Sequence, residues 1–296
     1  MNYFASPYHK AFNIVNYIFL ILTGFVCLAP FVNLWAISLS NSGAASAGRV
    51  LFWPVDWTFA SYEFAAANGK FFKAFLISME RVVLGVAVNL VFLVCAAYPL
   101  SKTKTQLRSR NIYMIYFVIT MIIGGGLIPT YIVVTKLKLL NSIWALVLPG
   151  ALPVWNMVIL MNFIRQMPQE IEDAAMVDGA GVFTRLIRIM LPLLKPALAT
   201  VGLFCTVGHW NDWFSGVIYM QSPEKYPLQS YLQTMLRSIE EMMRGAGNDY
   251  TQLLSMLNAR TGRAAQLFLG ALPMMIVYPF LQKYFTKGLV IGSVKG

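Results

Sequence analysis

The sequence predicts an all-α integral membrane protein: six transmembrane helices with a helix–turn–helix hairpin between the fourth and the fifth. Three observations carry this. Of 296 residues, 58% are hydrophobic and only 12% charged, about half the charge of an ordinary soluble domain. Mean hydropathy is +0.62. The apolar runs are continuous rather than alternating, which favours helices over a transmembrane β-barrel.

A span needs about 20 apolar residues. Six segments meet that requirement: 14–39, 75–100, 111–134, 143–165, 196–220 and 264–286. The first follows only His9 and Lys10 and exceeds the core of a signal peptide. It reads as a retained helix, although Ala44-Ala45-Ser46-Ala47 imitates a cleavage site. In the second, Glu80 and Arg81 fall near the start and are placed at the interface. Gly124-Gly125-Gly126 with Pro129 interrupts the third, and close helix packing through small residues is the favoured reading over a substrate contact. Cys27, Cys95 and Cys205 all lie in apolar runs and read as small buried hydrophobes.

Orientation follows from basic loops. The short connection 102–110 holds Lys102, Lys104, Arg108 and Arg110 and no acid, a cytoplasmic signature. That puts both termini and residues 166–195 inside, and residues 40–70, 135–142 and 221–262 outside. The net charge of +11 is then an orientation signal and points to no nucleic acid. One transmembrane domain over 1–296 is expected, with an outer loop at about 221–262. There Leu228, Tyr231, Leu232, Met235, Leu236, Ile239, Met242 and Met243 form a helical stripe.

Residues 170–195 concentrate Glu170, Glu172, Asp173, Asp178, Arg185, Arg188 and Lys195. Charges in the bilayer centre cost roughly 2.5–3.5 kcal/mol each, so this segment does not span. Pro168 suits a helix start, with acids in the first turns. Gly179 suits the left-handed stop. Phe183, Leu186, Ile187 and Met190 then recur at i, i+3, i+4, i+7 as one apolar stripe. Pro192 and Pro196 break the path to the fifth span. The hairpin is expected over about 168–192.

Within it, Asp173-Ala174-Ala175, Gly179 after three residues, Ile189 after nine and Leu191-Pro192 after one resemble the EAA motif of bacterial ABC-importer permeases. Asp173 stands where the motif has Glu, with Glu172 beside it. The C-terminal run Lys287–Gly296 resembles the tail of sugar-importer permeases related to the second permease of the maltose importer. Tyr278-Pro279-Phe280-Leu281-Gln282-Lys283-Tyr284-Phe285 resembles a branch handling complex oligosaccharides, and Trp210-Asn211-Asp212-Trp213 a common family pattern. The resemblance covers most of the chain.

It implies a coupling role. The hairpin, through Glu172, Asp173, Ala174, Ala175, Asp178, Gly179, Phe183, Ile189, Leu191 and Pro192, would dock on a separate ATP-hydrolysing subunit. The tail Gly292, Ser293, Val294, Lys295 and Gly296 would reach the same subunits. The implied partners are a second permease, two ATP-binding subunits and an extracytoplasmic solute-binding protein, in the bacterial inner membrane among its lipids. ATP and Mg belong to the ATPase, since no G-x-x-x-x-G-K-[ST] occurs here. The implied cargo is an oligosaccharide, including acidic, alginate-like types.

Asp212 is the sharpest ionisable residue inside a span. With His209, Trp210, Asn211 and Trp213 it is either an outer aromatic belt with a satisfied polar group or a sugar path. The alternative function is an ion-coupled secondary transporter using Asp212. An enzyme is not expected: there is no H-E-x-x-H and no G-x-S-x-G nucleophile elbow.

Overall fold

The computed structural model describes residues 7–67, 69–245, 260–277 and 279. They are mostly helical and contain no strand, only an isolated bridge between Ser40 and Trp57. Among them, two helices are long and apolar enough to cross a membrane alone, Tyr8–Ser38 and Gly69–Ser101. Three helix pairs pass together but are sharply bent. The C-terminal run Gly292–Gly296, residues 280–286 of the sixth apolar segment and residues 246–259 of the outer loop lie outside the described residues.

The chain divides into two compact units, residues 1–72 with 235–272, and 73–234 with 273–296. The first unit contains α1 (Pro7–Ser38), α2 (Ser42–Ser46) and α3 (Ala60–Ala67). No residue of the apolar stretch of α1 is buried within the chain. Such a helix needs lipid or another protein around it. The Asn41 side chain caps α2 by accepting from the Gly43 amide at 2.8 Å. Trp35, Trp53 and Trp57 form an edge-to-face triangle with centroids 6.2 Å apart.

The second unit is built around α4 (Gly69–Ser101) and α8 (Val154–Arg165). One face of α4 is buried every fourth residue: Arg81, Gly85, Asn89, Leu93 and Ala97. That is the spacing of a single helix face. Leu93 and Ala97 pack with Met157, Leu160 and Met161 of α8 and with Ala197, Val201 and Cys205 of α12 (Lys195–Asn211).

The third apolar segment is broken. Helices α5 (Arg110–Ile122) and α6 (Leu127–Lys136) meet at 111°. Gly126 takes φ +80° at the break, a conformation open to glycine. A Cβ at Gly124, Gly125 or Gly126 would meet nothing within 4 Å. The glycines therefore make a bend, and close helix packing within this chain is not their role. The fourth segment is bent by 52° between α7 (Ile143–Val147), with its 3-10 extension Leu148–Gly150, and α8.

The cysteine expectation is corrected in two of three cases. Cys27 and Cys95 are exposed within the chain and only Cys205 is buried. Helical periodicity turns Cys95 off the packed face of α4, and the stretch of α1 around Cys27 has no packed face within the chain.

Leu160 is fully buried in the core, while Val133 is 55% exposed. Leu160→Ala is expected to destabilise by on the order of 2–3 kcal/mol through the cavity it leaves. Val133→Ala should have a much smaller effect. Denaturant unfolding of the detergent-solubilised protein checks this.

Candidate functional sites: a polar cavity and a hairpin

The first site grows from a carboxylate that ends a helix. Asp212 leaves the helical region at φ −75°, ψ 99° and stops α12. Its Oδ1 accepts from the Ser215 amide at 3.1 Å and its Oδ2 from the Ser215 hydroxyl at 2.5 Å. Those bonds turn the chain into α13 (Phe214–Tyr219). The remaining valence of Oδ2 takes Arg81 Nη2 at 2.5 Å. Arg81 Nη1 also donates to the Asp212 carbonyl at 2.8 Å.

Arg81 is only 2% exposed. It is a buried cation whose counter-charge sits 131 positions away in sequence. A buried guanidinium without a partner is costly, so the pair fixes α4 against α12.

Two turns along the same face of α4, Asn89 performs a similar task with neutral groups. Its Nδ2 donates to the Gly150 and Ala151 carbonyls at 2.8 and 2.9 Å. These carbonyls lie at the bend between α7 and α8. Irregular backbone inside a membrane needs such donors. Asn89 Oδ1 faces His209 Nε2 at 2.7 Å. Between Arg81 and Asn89, Gly85 makes room for the imidazole: a Cβ there would overlap the ring, with Cδ2 at 2.7 Å.

These groups line a cavity of about 260 Å³, joined by Asn156, Cys205, Ser215 and Tyr219. Of the residues expected on a sugar path, His209 and Asp212 line it. Trp210 does not: it is 3% exposed, edge-to-face with Phe75 at 5.9 Å. Trp213 packs on Phe214, and Asn211 is exposed; neither is among the walls. Arg81, Gly85, Asn89 and Asn156 were missed by sequence reasoning. The signal available was their period: 81, 85 and 89 are four apart, with a cation at one end inside an apolar run.

The second site is the hairpin. Helix α9 (Gln169–Val177) starts after Pro168, with Glu170 and Glu172 in its first turn. It ends in a Schellman motif. The Gly179 amide donates to the Met176 carbonyl at 3.0 Å and the Ala180 amide to the Ala175 carbonyl at 2.9 Å. Gly179 takes φ +75°, as its place in that motif requires. The chain continues through α10 (Val182–Thr184), a π-helical segment Arg185–Met190 and α11 (Leu191–Leu193). It then bends by 79° into α12.

The expected single stripe is split. Met190 is 2% exposed and Leu186 packs on the core, whereas Phe183 is 78% and Ile187 58% exposed. The π-helical turn spaces these residues differently from an α-helix. Val177 and Val182 are also exposed, so the hairpin tip presents apolar side chains outward. Ala174, Asp173, Asp178 and Pro192 are exposed as well, Ile189 and Leu191 are half-buried, and Ala175 is buried against its own chain. The Glu172 carboxylate is bound by Lys102 of the same chain. Among the described residues no cluster of His, Cys, Asp and Glu could hold a metal.

The two members of the Arg81–Asp212 pair are unequally buried, with side chains 2% and 31% exposed. Removing Asp212 strands a buried cation; removing Arg81 strands a carboxylate that still has Ser215 and some water. Asp212→Ala is expected to cost about 3 kcal/mol or more, and Arg81→Ala less. Thermal unfolding of the purified protein in detergent gives the order, and the reverse order would contradict this assignment of the charges.

The comparisons with known proteins agree with this architecture. Residues 82–291 match the family described as "Binding-protein-dependent transport system inner membrane component". Protein LplC of Bacillus subtilis (strain 168) is 36% identical over 97% of this chain and 96% of its own length. The polygalacturonan/rhamnogalacturonan transport system permease protein YtcP of the same organism is 33% identical, covering 97% and 99%. A chain in the crystal structure of a bacterial ABC transporter involved in the import of the acidic polysaccharide alginate superposes with a TM-score of 0.83 at 29% identity. That match covers 95% of this chain and 99% of the other. This chain belongs to the family of binding-protein-dependent inner-membrane transport components, the permease subunits of ABC importers.

Proposed function

We propose that this permease carries oligosaccharides across the inner membrane by alternating access, driven by ATP hydrolysed on partner subunits. The cargo class follows from relatives named for polygalacturonan and rhamnogalacturonan transport and for alginate import. The chain would cross the membrane six times as a single permease domain. The hairpin 168–192, the 102–110 loop and both termini would face the cytoplasm, and residues 221–262 would lie outside. It would pair with a second permease, two ATPase subunits that hold Mg and ATP, and an external binding protein. The bare apolar surface of α1 suits lipid and the second permease.

The observation that carries the coupling role is the hairpin tip. Val177, Val182, Phe183 and Ile187 stand exposed on a turn anchored by Gly179. Apolar groups held outward on a fixed turn make a docking surface for another protein. Asp173 and Asp178 at its rim would orient the partner more than bind it. The C-terminal residues Gly292, Ser293, Val294, Lys295 and Gly296 would add contacts to the same subunits.

In the cavity, Asn89, Asn156, His209 and Ser215 are polar groups bonded within the chain, and sugar hydroxyls would share or exchange those bonds. Arg81, the arginine among the described walls, already has its charge matched by Asp212 through its terminal nitrogens. If the cargo is acidic, its charge would be recognised mainly on the binding protein. The ion-coupled alternative would need a titrating carboxylate, and the Asp212 oxygens are engaged by Arg81 and Ser215.

Two variants test the hairpin. Phe183→Glu places a charge in the proposed docking face and should lower ATPase copurification about tenfold or more, the loss of one interface anchor worth about 2 kcal/mol. Gly179→Val forces a β-branched residue to φ +75° and should leave membrane insertion intact while abolishing ATP-driven uptake. Normal uptake by Gly179→Val, or full copurification with Phe183→Glu, would sink the assignment.

A further inference from the structure

One ion pair in the molecule lies far from the cavity, at the base of the hairpin. Lys102, just past the end of α4, binds both carboxylate oxygens of Glu172 in the first turn of α9. The two side chains are only 18% and 15% exposed. The Lys102 ammonium also sits 4.0 Å from the centroid of the Tyr98 ring, and Tyr98 is itself buried. A cation over an aromatic face and against a carboxylate, away from bulk water, is held in one position. A few residues away, Arg165 at the end of α8 donates to the Leu100 carbonyl at 3.1 Å, which satisfies an otherwise open helix C-terminus. The end of α4 next to the basic 102–110 loop is thus fastened to both elements that lead into the hairpin.

The other half of α4 carries Arg81 and Asn89. Lys102 lies 21 residues beyond Arg81, about 30 Å along a helix at 1.5 Å per residue. The hairpin therefore reaches the cavity by two routes. One is covalent, through α11 and α12 to His209 and Asp212. The other runs through the Lys102–Glu172 pair and along α4 to Arg81 and Asn89. The two routes end on the two sides of the same hydrogen-bonded pairs.

We propose that the Lys102–Glu172 pair is a transmission strut that makes α4 move with the hairpin, so that both walls of the cavity shift together when the ATPase moves. This rests on the coupling role proposed above. Glu172 is then a positioning residue acting through Lys102 inside this chain, distinct from Asp173 beside it, which is exposed. Losing the strut lets the hairpin follow the ATPase while α4 lags.

The test uses the full importer in proteoliposomes with its binding protein and an imported oligosaccharide. Lys102→Met should retain the ATPase in a pull-down and still hydrolyse ATP. The ATP consumed per sugar imported should rise by about tenfold, the scale of a coupling residue outside the binding sites. Lys102→Arg, and the exchange of Lys102→Glu with Glu172→Lys, should bring the ratio back toward wild type. A purely structural defect would lower hydrolysis and uptake together. A wild-type ratio for Lys102→Met, or an exchanged pair as defective as the single variants, overturns the strut. Loss of the ATPase from the Lys102→Met pull-down also overturns it, and assigns the pair to the docking face instead. Absence of any ATPase with the wild-type chain overturns the coupling role, and the strut with it.

Discussion

The Arg81–Asp212 ion pair is the constraint on which the second unit depends. A guanidinium that is 2% exposed inside an apolar helix has few ways to be tolerated. It needs an opposite charge and acceptors in fixed positions. Asp212 provides the charge because α12 stops there, and it stops there because the carboxylate is drawn to Ser215. Leu146 adds a carbonyl at 3.4 Å. The helix end, the turn into α13 and the position of α7 follow from one buried cation. Asn89 repeats the logic without charge, filling the open carbonyls of the bend before α8. The walls of the cavity are thus polar because broken helices need donors for their open carbonyls.

Much of this was legible in the sequence where the cause is local. The hairpin start at Pro168 and stop at Gly179 depend on neighbouring residues alone, and the Schellman bonds from Gly179 and Ala180 follow from that glycine. Apolar length located the helices of the first and second segments in the same way. What was not legible depends on partners distant in sequence. The pairing of Arg81 was hidden because Asp212 lies 131 positions away. Trp210 read as part of either an aromatic belt or a sugar path, and its indole packs on Phe75. The bends at 111° and 52° come from glycines and carbonyls satisfied across the fold, and hydropathy is blind to both. The stripe through Phe183 and Met190 assumed α-helical spacing, and the π-helical segment Arg185–Met190 divides it between core and surface.

The same molecule joins an exposed apolar tip to a buried polar cavity. Between them stand α4 and α12, the first ending beside the hairpin and the second continuing from it. Packed interiors respond to displacement by shifting whole elements. A hairpin moved by an ATPase would therefore carry both helices, and the cavity between them would change its opening. Family membership supplies the transport role. The side-chain contacts of α4 and α12 supply a route by which force could reach the cavity.

In the proposed transport cycle this cavity opens alternately to the two sides of the membrane under control of ATP. Phe204 lines the cavity and is 37% exposed. With Cys27, Cys95 and Cys205 replaced by Ser, Phe204→Cys offers a single thiol for a membrane-impermeant maleimide applied from either face of proteoliposomes bearing the whole importer. Labelling from the cytoplasmic side without nucleotide, switching to the outer side when ATP and the loaded binding protein are held on the complex, is the predicted result. Labelling from the same side in both conditions would contradict alternating access through this cavity.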